Sequence, residues 1–356
     1  MRVLHLVPGS PFGGAQRLVV DLAVKQREQS IDASILLLST GPRLREFAEE
    51  KGVPAQTVRE GPSRFPDTYR LVRKADADIL HLHIPPPWLA FALPRKPTLV
   101  HLHVRPVLSV HGSSVRRQLD ALGERLTLSR ADYAIAISHW VKDAWRTAYP
   151  QTKARFKVVY NGVNLPPVPT REAVEQPFTI SAACRLSDRK GIEEFIEFAT
   201  VVKGQLPDAE FRIAGDGPLR EVYEQAARDA GLGDAIVFEG FVSDMPSFWA
   251  KANAAAFTSP FEPFGLRLIE PITHLRPVLA YKNGTGSDEV IAQCRGIISA
   301  PYGDPETLAT EAVRLASDRK RSKQIASEGL EDVTERFSVD AMSASLQAVY
   351  DRMVLE

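Results

Sequence analysis

Cysteine is scarce: Cys184 and Cys294 are the only two in 356 residues. Two thiols make no disulfide framework, and no zinc-ligand spacing is present, so the fold is expected to rest on apolar burial. Both thiols are expected as buried fillers rather than reactive groups, in a reducing cytoplasm. Long hydrophobic runs are also missing. The longest, IPPPWLAFALP at 84–94, is too short to span a bilayer and holds four prolines. The opening MRVLHLVPGSPFGG has no apolar core of signal-peptide length ending in a cleavage site, so a cytoplasmic chain is expected. Net charge is zero, but this hides a split between the halves. Residues 1–165 carry 24 Lys and Arg against 14 Asp and Glu, and residues 166–356 carry 20 against 30, so +10 is set against −10. The basic half is expected to meet an anionic partner. No RNA-binding aromatic signature and no basic tail supports nucleic acid. An anionic membrane surface or an anionic lipid-linked substrate fits the same charge.

What is present is an ordinary globular composition, 44% hydrophobic and 25% charged, long enough for two domains. Short β-branched runs alternate with segments of helical period. VLHLV (3–7), ASILLL (33–38), ILHLH (79–83), TLVHLH (98–103), YAIAIS (133–138) and KVVYNG (157–162) read as strands. Their near-continuous apolar character predicts a parallel sheet covered on both faces. AQRLVVDLAVKQREQ (15–29) and RLREFAEEKG (43–52) read as helices between them. NLPPVPTREAVEQP (164–177) has four prolines and no periodicity, and reads as a linker. Beyond it FTISAAC, EFRIAG, AIVFEGF, AAAFTS and PVLAY restart the alternation. The expectation is α/β, with two doubly wound domains facing one another and ligands at the carboxyl ends of the strands.

Several strands are followed by suggestive turns. PGSPFGGAQR (8–17) opens a helix whose free N–H groups suit a phosphate, although an ordinary tight turn is equally consistent and GxGxxG is absent. RLSDRKG (185–191) places Arg185 and Lys190 ahead of a helix, the end that cations disfavour. A polyphosphate held between them resolves that conflict. AGDGPLR (214–220) reads as a structural turn, with Pro218 suited to a first helical turn. SPFEPFGLRLIEP (259–271) holds Glu262 and Glu270, eight positions apart. On one helix they would lie about 12 Å apart, and further on extended chain. Carboxylates flanking one glycosidic bond sit roughly 5–9.5 Å apart. Two separate grips on a long polyhydroxylated ligand fit better, with the amides of Phe264, Gly265 and Leu266 facing a phosphate. His81 and His83 share one face of a strand, but no third metal ligand is apparent. VRRQLDALGERLTLSRAD (115–132) carries Leu119, Leu122, Leu126 and Leu128 with Arg116, Arg117, Arg125 and Arg130. It reads either as an ordinary surface helix or, with Trp88 and Phe91 nearby, as a membrane-facing one.

Taken in order, KVVYNGVN, CRLSDRKG, IAGDGPLR, VFEGFVSD, SPFEPFGLRLIE and the closing ERFS…LQAVYDRM resemble the retaining GT-B glycosyltransferases of family 4. The glutamate stretch matches the family's E-x7-E motif, and CRLSDRKG its G-R-L-x(3)-K-G turn. The resemblance implies the GT-B fold: an acceptor domain at 1–165, joined by a C-terminal helix at 340–356 crossing back, and a donor domain at 172–339, facing across a cleft. It implies a UDP- or GDP-sugar donor, a glycan or lipid-linked acceptor, retention of anomeric configuration, and no cofactor or metal. Arg185 and Lys190 would hold the diphosphate, Glu270 the ribose hydroxyls and Glu262 the hydroxyls of the transferred sugar. Phe264, Gly265 and Leu266 would offer amides, Gly13 and Gly14 would close over the phosphates, and His103 would face the sugar. The departing phosphate would help deprotonate the acceptor. Departures from the family pattern are Gln16, Cys184, Val104 and Leu275, which bear on pocket shape and sugar identity. A sugar-nucleotide epimerase or hydrolase of the same shape, and a non-catalytic donor-binding partner subunit, are the rival readings.

Overall fold

The computed structural model describes residues 1–9, 13–83, 85–86, 88–104, 106, 115–167 and 177–355, leaving aside the side chains of 115 and 116. Most of the expected linker, part of the loop after the first strand and the side chain of Arg116 therefore lie outside the described residues. The chain divides into two units, Met1–Asn164 with Ser338–Glu356, and Leu165–Phe337.

The first unit is a seven-stranded sheet of β1 (Arg2–Val7), β2 (Asp32–Leu37), β3 (Ala55–Thr57), β4 (Ile79–His83), β5 (Thr98–Leu102), β6 (Tyr133–Ala136) and β7 (Arg155–Val158). Its order is β3-β2-β1-β4-β5-β6-β7, and all pairs are parallel. The chain leaves β1 in one direction and returns to its other side at β4, so the topological switch point lies between them. Helices α1 (Gly14–Glu28), α2 (Pro42–Glu50), α3 (Arg64–Ala75), α4 (Leu89–Ala92), α5 (Val115–Arg130) and α6 (His139–Ala148) flank the sheet. β3 is three residues long with no buried position, too short and too polar to stand out in the sequence.

The second unit has six strands: β8 (Thr179–Ala183), β9 (Glu210–Ala214), β10 (Ile236–Gly240), β11 (Ala254–Phe257), β12 (Val278–Lys282) and β13 (Ile297–Pro301). The order β10-β9-β8-β11-β12-β13 puts its switch point between β8 and β11. Sequence reading finds five of the six. β13 is a half-buried edge strand squeezed between Gly296 and a terminal proline, which hides its period. Helices α7 (Ile192–Gln205), α8 (Arg220–Asp229), α9 (Met245–Ala250), α10 (Leu266–Thr273), α11 (Ser287–Gln293), α12 (Pro305–Ser317) and α13 (Arg319–Arg336) surround a core containing Phe195, Phe198 and Phe211. Cys294 is buried as expected, whereas Cys184 is half-buried at the end of β8, and burial raises both thiol pKa values.

The last helix, α14 (Val339–Leu355), returns to the first unit. Val163 and Ser338 form a parallel bridge, and Val339 N donates to Val163 O at 3.0 Å. A Cβ on Gly162 would lie 2.4 Å from Ser338 O, so glycine permits this crossing. Met342, Leu346, Val349, Tyr350 and Met353 then pack with Val3, Leu18, Leu22 and Ile79 in one apolar cluster. Burial of this kind stabilises by roughly 1.5–3 kcal/mol per large side chain.

Candidate functional site

In the second unit two loops leave β8 and β11, the strands on either side of the switch point. The first loop carries Arg185 and Lys190. Its last turn takes two left-handed residues, Arg189 (φ 60°) and Gly191 (φ 79°). The turn is pinned to the end of β11: Thr258 Oγ1 donates to Gly191 O at 2.6 Å and Ser259 Oγ to Arg189 O at 3.2 Å. α7 starts immediately after Gly191, with no side-chain cap at its N-terminus.

The second loop carries Glu262. Its carboxylate accepts from Arg267 Nη2 at 2.8 Å, and Lys190 Nζ stands 3.7 Å from the same Oε2. The backbone around Glu262 is held by the loop after β12. Ser287 N donates to Glu262 O at 3.1 Å, Glu262 N to Thr285 Oγ1 at 3.2 Å, and Asn283 Nδ2 to Ser259 O at 2.9 Å. Gly265 adopts φ 100° at the N-cap of α10 without a side-chain cap, so the first amides of that helix have no intrahelical partner. Phe264 is buried with its ring against Phe337 (6.0 Å between centroids), which leaves its backbone as the part available to a ligand. Leu266 opens the helix and Glu270 lies one turn on, half-buried, its carbonyl accepting from Thr273 Oγ1 at 2.7 Å.

The geometry therefore brings Lys190 and Glu262 together and adds Arg267, which the sequence reading passed over. Arg267 also lies 5.3 Å from the centroid of Phe257, and its Nη1 reaches Ala183 O at 3.5 Å, so it ties the ends of β8 and β11 to α10. The one signal in the sequence was a cation five residues after Glu262. Arg185 is exposed, and its guanidinium makes no ion pair among the described residues.

In the first unit Gly13 is extended (φ −159°, ψ −169°) and caps α1 with no side chain. Gly14 is the first helical residue, and no acid occupies the first turn. His103 follows β5. Burial lowers its pKa to about 4, so the ring is neutral at physiological pH. Trp145 Nε1 donates to the neighbouring Val104 O at 2.7 Å and fixes this corner. Behind His103 stand four more buried histidines. His5 pairs with His81 across β1 and β4, and His83 with His101 across β4 and β5. This corrects the expectation that no third potential metal ligand stands beside His81 and His83. Ring nitrogens of His5, His81 and His83, and of His83, His101 and His103, come within 4.8 Å of one another. Neither triad includes a carboxylate to offset a buried divalent charge, and most of these nitrogens are already hydrogen-bonded.

Two parallel, helix-covered sheets, each with its own switch point, and a returning C-terminal helix define the GT-B class. Anabaena HepE in complex with UDP shares this fold at TM-score 0.78 and 24% identity, covering 99% of this chain and 100% of that one. The chain belongs to the family 4 glycosyltransferases: the model described as Glycosyltransferase Family 4 matches residues 12–166, and that described as Glycosyl transferases group 1 matches residues 169–332. The alpha-D-kanosaminyltransferase of Streptomyces kanamyceticus is 29% identical over 169 residues, 47% of this chain and 43% of its own length. The 2-deoxystreptamine N-acetyl-D-glucosaminyltransferase of Streptomyces fradiae is 25% identical over 247 residues, 65% of this chain and 58% of its own length. The chain thus spans about half the length of these two relatives.

Proposed function

We propose that the chain is a retaining glycosyltransferase that moves a sugar from a UDP- or GDP-sugar to a glycan or lipid-linked acceptor in bacterial cell-surface polysaccharide or glycolipid synthesis. The observation that carries the reading is Glu262 held between Arg267 and Lys190 at the start of α10, on the switch point of the second sheet. Charge develops on the departing diphosphate, and cations beside uncapped helix amides stabilise it where it forms. Arg185 is exposed and free to swing onto the same phosphates. Glu262 accepts from hydroxyls of the transferred sugar and Glu270 from the ribose. The leaving phosphate takes the acceptor's proton, so no separate base is needed. With the diphosphate neutralised by side chains, the reaction proceeds in EDTA.

A thermal-shift screen against UDP, GDP, ADP and their sugars tests this. A ligand at a hundred times its Kd adds roughly 2.7 kcal/mol to the native state. Glu270→Ala should lose most of the shift with nucleotide, while free sugar changes nothing in either protein. A melting temperature indifferent to all the nucleotides would remove the donor reading. A donor converted in the absence of any acceptor would favour the epimerase or hydrolase.

For the acceptor side, the reading includes an anionic membrane surface at the first unit. No helix among the described residues is long and apolar enough to cross a bilayer. Phe65 and Tyr69 on α3, Phe91 on α4, and Leu119 and Leu122 on α5 are exposed, and α4 packs against both other helices. Phe65 and Trp88 stack edge to face at 5.4 Å, bridging α3 to α4. Exposed apolar side chains in a segment of net +10 suit the inner, anionic leaflet. The protein is expected to sediment with anionic vesicles at low salt and stay in solution with neutral ones. Equal sedimentation with both would count against membrane docking.

A further inference from the structure

The five buried histidines form one directed hydrogen-bond chain with Gln26 and Tyr350. Gln26 lies on α1 and is fully buried. Its Oε1 is 2.7 Å from His5 Nε2, and its Nε2 donates to Tyr350 Oη at 3.1 Å. An amide oxygen only accepts, so His5 holds its proton on Nε2 and keeps a lone pair on Nδ1. His83 Nε2 lies 3.0 Å from that Nδ1 and must donate, which makes His83 Nδ1 an acceptor. His103 Nε2, 3.2 Å away, donates to it. On the other arm Tyr350 donates to His81 Nδ1 at 2.6 Å, and His81 Nε2 donates to His101 Nδ1 at 3.2 Å. That arm ends at His101 Nε2, which is buried without a partner. An imidazole inverts by moving one proton between its nitrogens. The amide's oxygen always accepts and its NH2 always donates, so it reverses only by turning over about its Cγ–Cδ bond; with Oε1 on His5 and Nε2 on Tyr350 it fixes one direction. Gln26 is thus the member that sets the direction of the rest.

His103 is the mouth of this chain, at 7% exposure against 0–1% for the four rings behind it. Its Nδ1 has no hydrogen-bond partner among the described residues. We propose that Gln26 is a positioning residue that, through His5 and His83, holds His103 in the Nε2–H tautomer, so that Nδ1 is presented as a hydrogen-bond acceptor to a hydroxyl of bound substrate. The assignment of substrate as its partner rests on the glycosyltransferase reading above.

The test is a long-range proton–nitrogen correlation spectrum of the full chain with ring-labelled histidine, with the His103 signals identified by their loss in His103→Asn. The expected result is His103 protonated on Nε2 at pH 7, and Gln26→Leu averaging that signal between tautomers. The same variant should lower kcat about tenfold at unchanged donor KM. Gln26→Glu still accepts from His5, and should restore both the tautomer and most of kcat. Should Gln26→Leu fail to fold, Tyr350→Phe should change His81 and His101 while leaving His103 as it was. Nδ1–H on His103 in the native protein overturns the proposal. So does a Gln26→Leu spectrum identical to the parent, or an equivalent of Zn2+ replacing the N–H signals with a bound-metal pattern. An intact Nε2–H tautomer in a protein that turns over no nucleotide sugar keeps the chain's direction and retires the donor reading alone.

Discussion

Lys190→Ala is expected to lower turnover about a hundredfold while leaving the fold and its melting temperature essentially unchanged. The two halves of that expectation have separate origins. Lys190 is about one-third exposed and stands 3.7 Å from Glu262, too far for a strong bond and too solvated to add much stability. Glu262 keeps its shorter bond to Arg267 at 2.8 Å, and its backbone keeps the partners on the loop after β12. The loop therefore stays in place. What is lost is a positive charge beside the uncapped start of α10, where on the proposed reading the leaving diphosphate would gather charge. Because that charge grows toward the transition state, kcat should fall more than donor affinity. Lys190→Arg should recover only part, since a planar fork does not reproduce a compact ammonium. Steady-state kinetics with whichever nucleotide sugar gives the largest thermal shift makes the measurement. Kinetics equal to the parent's would take Lys190 out of the phosphate grip.

The parts of this site that sequence reading reached are those in which chain position and chemistry coincide. A turn after a strand and before a helix lies at the carboxyl edge of a parallel sheet whatever the rest of the fold does. Arg185, Lys190, Glu262 and Gly265 were legible for that reason. Arg267 was not, because an arginine in the first turn of a helix looks like any solvated cation until the fold lays it on Phe257 and Glu262. The histidine ladder was half visible. HLH occurs twice, and VLHLV adds a third apolar strand with an inward histidine. Their stacking depends on strand register, which the pattern of one strand does not encode. Leu275 is a third case. It stands where the family tends to have glycine, and the structure holds it at φ 56°, the left-handed conformation that glycine serves. A leucine there costs roughly 1 kcal/mol. The next residue helps hold it: Arg276 is fully buried, and its Nε donates to Trp249 O at 2.8 Å.

Gly191→Ala is expected to be as damaging to turnover as Lys190→Ala, by a different route and with a cost in stability. At φ 79° an L side chain is already strained, by roughly 1–2 kcal/mol. The added Cβ would also sit 2.4 Å from Thr258 O and 2.5 Å from Ser259 N, both backbone atoms at the end of β11. Neither can step aside without breaking the bonds that Thr258 and Ser259 make to the turn. Overpacking of this kind adds roughly 1–3 kcal/mol. The sum, about 2–5 kcal/mol, should appear in denaturant unfolding as a lower midpoint at unchanged slope. Gly204→Ala is the control. That glycine is exposed near the end of α7 with nothing within 4 Å of a Cβ, and the change should be neutral or stabilise by about 0.5–1 kcal/mol. The two site variants then separate charge from placement. Lys190→Ala removes the ammonium and leaves the turn seated on β11. Gly191→Ala leaves the ammonium and unseats the turn, carrying Lys190 away from Glu262. If the second variant kept full turnover with its stability reduced, the distance between Lys190 and Glu262 would not matter to the chemistry, and the grip on the diphosphate would have to lie elsewhere.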